Sequence, residues 1–114
     1  MTTWPKVTFG GLLPRLWRSE VRNALIGYVQ IGQLELAAAQ RLMALAERAL
    51  ARGERQVESR RVLELAAASG RSAYDCEYVA LAEAEGLMVV TDDRQLQKSF
   101  PELTLAMGSQ ASRG

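Results

Sequence analysis

The stretch GLMVVTDD, residues 86–93, constrains this chain more than any other. Its apolar run LMVV lies between a glycine and a Thr-Asp-Asp turn. An apolar run this short and uniform predicts a strand covered on both faces, the pattern of parallel sheets. Covering both faces takes helices, and helical patterns stand on either side, at 72–85 and in DRQLQKSF. The expectation is an α/β architecture around a small parallel sheet, with any ligand site just outside the strand's carboxyl end.

The remaining residues supply the layers. The chain has 114 residues, enough for one core and one domain. A short N-terminal segment, 1–13, contains KVTF, a possible strand that Gly10 and Gly11 stop. Pro14 suits the first turn of a helix that runs to Gly32. On a helical wheel Leu16, Trp17, Val21, Ala24, Leu25, Gly27, Tyr28 and Ile31 form one apolar arc. A second helix follows over 33–53, with Leu34, Leu36, Ala38, Leu42, Leu45, Ala46 and Ala49 as its stripe, and the pair should form an antiparallel hairpin. Gln56 and Val57 read as a short strand or a loop. A third helix spans 59–69 and stops at Gly70; a fourth opens at Ser72 and stops at Gly86. LTLAM offers a last strand, and 108–114 is a polar tail. The folded domain is expected over 14–107.

Absent residue types narrow the chemistry. There is no histidine and one cysteine, Cys76. Histidine-based nucleophile systems, histidine-ligated zinc, thiolate clusters and intrachain disulfides are all excluded. A formal charge of +1 argues against a protein that coats nucleic acid. No apolar run approaches membrane-spanning length and no signal peptide is evident, so a cytoplasmic protein is expected. By elimination, the enzymatic chemistry open to this chain is hard-cation chemistry on carboxylates.

Three groups of acids are candidates. Asp75 follows Ser72 at capping-box spacing and heads a stripe with Tyr78, Val79 and Ala82, so it can cap its helix, bind an ion, or do both. Asp92 and Asp93 follow the strand, and either cap the next helix or face a ligand at the strand's end. Glu20 falls inside the apolar arc of the first helix, where capping cannot account for it. It needs a cation, an ion or an arginine such as Arg71 or Arg94. Converging, these acids would hold Mg²⁺ or Mn²⁺, and a metal so held activates water and steadies charge on a phosphate. Cys76 is expected in the core, and Trp17, Tyr28, Tyr74 and Tyr78 in the core or a dimer contact. Arg15, Arg18 and Arg22 line one side of the first helix, as a solvated face or as phosphate contacts.

RSEVRNAL, SAYDCEYVALAEAEGLMVVTDDRQL and KSFPEL resemble the PIN domain family, closest to its VapC-type toxins, over residues 12–107. The resemblance implies a three-layer α/β/α sandwich and a Mg²⁺- or Mn²⁺-dependent endoribonuclease, the toxin of a type II toxin–antitoxin pair. Such proteins act on RNA, bind an antitoxin and commonly form homodimers. Carried over by motif, Glu20, Asp75 and Asp93 are the catalytic, metal-binding acids, with Asp92 as an auxiliary ligand. Asn23, Ser72 and Thr91 occupy supporting polar positions, and Arg18 and Arg22 are candidate RNA contacts. The family's first aspartate, on an N-terminal strand, has no counterpart, because no Asp or Glu precedes Glu20. The expectation is an N-terminally truncated PIN-like domain with impaired activity. The alternative is a non-catalytic module that binds an antitoxin or a second copy of itself.

Overall fold

The computed structural model describes residues 6–8 and 10–107. The polar tail expected at 108–114, residues 1–5 and Phe9 lie outside the described residues. The chain is a mixed α/β fold. In order it contains β1 (Lys6–Thr8), β2 (Leu13–Pro14), α1 (Trp17–Gln30) and α2 (Leu36–Leu50). A 3-10 turn (Ala51–Gly53) leads to β3 (Glu54–Arg55), α3 (Ser59–Ser69) and α4 (Ala73–Glu85). β4 (Val89–Thr91), α5 (Arg94–Ser99) and β5 (Thr104–Leu105) complete it.

The centre is α4. Cys76, Tyr78, Val79, Ala80, Leu81 and Ala82 are all buried, so this helix is covered nearly all round, as its composition requires. It packs against α3, β1, β2 and β4. The Ser72 hydroxyl accepts from the Asp75 backbone N–H at 3.0 Å and starts the helix. Gly86 ends it at φ 69°, in the left-handed region that costs glycine nothing, and the chain turns at once into β4.

All of β4 is buried, but only Val89 and Val90 of the LMVV run belong to it; Leu87 and Met88 precede the strand and are half-buried, and Thr91 completes it. β4 is the middle strand of three, in the order β1-β4-β5. β5 lies parallel to it, with Val89 opposite Thr104, and reaches that place through the α5 crossover that parallel strands require. β1 runs antiparallel, with Lys6 opposite Thr91 and Thr8 opposite Val89. The sheet is therefore mixed rather than wholly parallel, and the KVT strand closes one of its sides. A separate two-strand parallel pair joins Leu13 to Glu54 and Pro14 to Arg55.

That pairing corrects one boundary and settles an open reading. Pro14 sits in β2 and the helix begins at Trp17; proline, lacking an N–H, is tolerated in so short an edge pair. Of the two readings for Gln56 and Val57, strand or loop, the structure has the loop, and the short strand precedes it at Glu54–Arg55. The hairpin is also rotated from the expected wheel. Ala39, Met43, Ala46 and Leu50 turn inward from α2, while Leu42 and Leu45 are exposed. On α1, Trp17, Leu16 and Val21 pack against the core, whereas Tyr28 and Ile31 at the far end face outward.

Candidate functional site

Glu20 and Asp75 come from different helices, α1 and α4, and meet at a single atom. The Lys6 ammonium lies 3.5 Å from Glu20 Oε2 and 3.2 Å from Asp75 Oδ1. Because Lys6 stands opposite Thr91, the last residue of β4, this meeting point is at the carboxyl end of the central strand. That is where the sheet geometry predicts a ligand.

The cluster is built from the inside out. The Lys6 side chain is 2% exposed, against 18% for Glu20 and 21% for Asp75. A buried ammonium is costly unless carboxylates surround it, and two do. The Tyr78 ring stands beneath it, 5.3 Å from centroid to Nζ, within cation–π range. The Tyr78 hydroxyl donates to Glu20 Oε1. One Glu20 oxygen thus receives the phenol while the other faces the ammonium. Burial, and then the hydrogen bond to Glu20, push the Tyr78 phenol well above its ordinary range, so it remains a donor. Burial and the Glu20 charge also raise the Glu77 carboxyl.

The other residues singled out from the sequence lie in different company. Asp93 caps α5: its Oδ1 accepts from the backbone N–H groups of Gln95 and Leu96 at 3.0 and 3.1 Å. Asp92 Oδ1 accepts from the Met107 N–H at 3.0 Å, tying the turn after β4 to the segment that follows β5. Thr91 is fully buried, and its hydroxyl accepts from the Asp93 N–H at 3.1 Å. Ser72 is the α4 cap, and Asn23 and Arg22 are exposed on α1.

Arg18 is engaged with the fold. Its Nε donates to Glu54 Oε2 at 2.5 Å and its Nη1 to Glu47 Oε2 at 2.7 Å, while the Trp17 indole N–H also donates to Glu54 at 2.7 Å. These contacts fasten α1 to β3 and α2. Cys76 is buried as expected, and burial pushes its thiol up. Trp17 and Tyr78 are core residues; Tyr28 and Tyr74 are exposed.

Glu20 therefore finds a counter-charge, but in Lys6 rather than in Arg71 or Arg94. Arg71 donates instead to Gln95. Lys6 and Tyr78 were not read from the sequence as parts of the site. The available signal was alternation: Lys6 and Thr8 share one face of KVT, and a lysine on the inward face of a strand demands an acid.

Among the described residues, no three acidic or cysteine side chains gather closely enough to hold a metal ion. Mg²⁺ demands near-octahedral oxygen coordination. Two carboxylates with an ammonium fixed between them, and the third expected acid turned to a helix cap, do not fit that ion. No family model matches the chain, and no curated protein matches it significantly.

Proposed function

We propose that this chain is a PIN-like domain, the toxin half of a type II toxin–antitoxin pair, with an endoribonuclease site that its own lysine restrains. The observation that carries the reading is the convergence of Glu20 and Asp75 on one cationic atom at the carboxyl end of β4. Two helices placed to aim carboxylates at a common point define a cation pocket, and a structural ion pair needs only one of them. On this reading RNA is the substrate, and the acid pair is what remains of a Mg²⁺- or Mn²⁺-binding site whose centre the Lys6 ammonium now occupies. Activity in the chain as it stands is weak, because Asp93 is engaged in capping and Lys6 occupies the point where Glu20 and Asp75 meet.

The test is hydrolysis of an unstructured RNA with Mn²⁺ or with EDTA. Wild type should cleave slowly or not at all. Lys6→Ala should cleave faster in Mn²⁺, and Lys6→Ala/Asp75→Asn should lose the gain. No EDTA-sensitive cleavage by any variant would remove the ribonuclease reading.

A second reading is favoured by the exposed apolar residues of the α1–α2 hairpin. Tyr28, Ile31, Leu36, Leu42 and Leu45 are between 46% and 66% exposed. A contiguous exposed apolar patch marks an interaction surface, and these side chains would supply one. On this reading the domain binds an antitoxin, or a second copy of itself, without catalysis. Sedimentation across a concentration series tests self-association: wild type should dimerise, and Leu42→Glu/Leu45→Glu should be monomeric. Identical monomer profiles would exclude the homodimer.

A further inference from the structure

Resting on the reading of Glu20 and Asp75 as a cation pocket, we infer that β1 is a strap carrying its own cation, and that Lys6 shuts divalent ions out of that pocket. A bare acid pair would be open to any hard cation. Here the pair is closed from the sheet side. Lys6 is held in register with Thr91 by the β1–β4 ladder, so its ammonium is delivered by backbone pairing and not by a loose surface side chain. Its side chain is 2% exposed, its Nζ stands over the Tyr78 ring, and it lies within 3.5 Å of an oxygen from each carboxylate. An ammonium and a divalent ion compete for the same oxygens, and the one supplied by the chain is at high effective concentration. The groups around the ammonium include Glu20 from α1, and Asp75 and Tyr78 from α4, with Glu77 near enough to feel the Glu20 charge. The mismatch between these residues and a magnesium site is therefore a built feature: the ammonium occupies the point where the two carboxylates converge and offsets part of their charge without a metal.

The experiment is Mn²⁺ titration of the whole chain, read by loss of the free-Mn²⁺ paramagnetic signal and by the shift of the melting temperature. Wild type should leave the Mn²⁺ signal unchanged at millimolar ion. Lys6→Met keeps the aliphatic stem and removes the charge; it should take up a single Mn²⁺ and melt at a higher temperature with the ion than without it. Lys6→Met/Asp75→Asn should lose both effects, which separates the pocket from surface acids. Lys6→Gln is the second variant if Lys6→Met fails to fold. Mn²⁺ uptake by wild type that disappears in Asp75→Asn would overturn the inference, and so would a folded Lys6→Met or Lys6→Gln chain that takes up none. Mn²⁺ uptake by Lys6→Met without RNA cleavage would support the strap while removing the ribonuclease reading.

Discussion

Lys6 Nζ lies 3.2 Å from Asp75 Oδ1, joining the first described strand to the helix at the centre of the fold. The bond is made where both partners are largely withdrawn from water. Removing one member of a buried ion pair leaves the other charge uncompensated, and here it would leave two carboxylates facing each other. Lys6→Met should lower stability at neutral pH by about 2–4 kcal/mol. Urea denaturation of the two chains measures the difference.

Tyr78→Phe removes the donor to Glu20 and little else. Loss of a hydrogen bond to a charged acceptor should cost about 1–2 kcal/mol. The phenol makes a second prediction by spectrophotometric titration. Because burial and Glu20 raise it, Tyr78 should stay protonated beyond the ordinary tyrosine range. The Phe variant should then lose absorbance change only at the alkaline end of the curve. A loss in the ordinary range would contradict the packing described for α4.

Asp93 separates capping from ligand roles. Asparagine caps a helix about as well as aspartate does, whereas alanine does not. Asp93→Asn should melt close to wild type, and Asp93→Ala should be destabilised by about 1 kcal/mol. Equal losses in the two variants would mean that the charge, not the cap, matters at this position.

The Arg18–Glu54 contact predicts a pH dependence. The Arg18 hydrogen bond, helped by the Trp17 indole, holds the Glu54 carboxyl below the usual carboxylate range. A depressed acid contributes stability that is fully present above its unfolded value and is lost as pH falls through the folded one. The stability difference between wild type and Glu54→Gln should therefore be constant at neutral pH and shrink below roughly pH 4.3. Denaturation midpoints of both chains between neutral and acid pH give the answer.

Much of this fold was legible in the sequence, and particular residues show why. LMVV between helical patterns announced the buried strand, because so short an apolar run, rich in β-branched valine and set between turn signals, suits a covered strand better than a helix. Ser72, Gly70 and Gly86 marked helix ends through local backbone chemistry. The hairpin was harder. Alanine and leucine occur all round α2, so periodicity alone could not say that Ala39 and Met43, and not Leu42 and Leu45, face the core. Glu20 was recognisable as an acid in need of a cation. Its partner was not, since Lys6 lies in a three-residue strand whose antiparallel pairing with β4 is a tertiary fact. The roles of Asp92 and Asp93 were also undecidable in advance: capping and ligation use the same residue at the same position, and only the hydrogen-bond partners distinguish them.

Glu20 and Asp75 share the Lys6 ammonium, and a double-mutant cycle tests that contact directly. Unfolding free energies are measured at neutral pH for wild type, Lys6→Met, Asp75→Asn and the double variant. The predicted coupling between the two positions exceeds about 1 kcal/mol, with the double variant more stable than the sum of the single losses allows. Losses that add to within about 0.5 kcal/mol would mean that the two side chains do not interact, and the cation pocket would be contradicted.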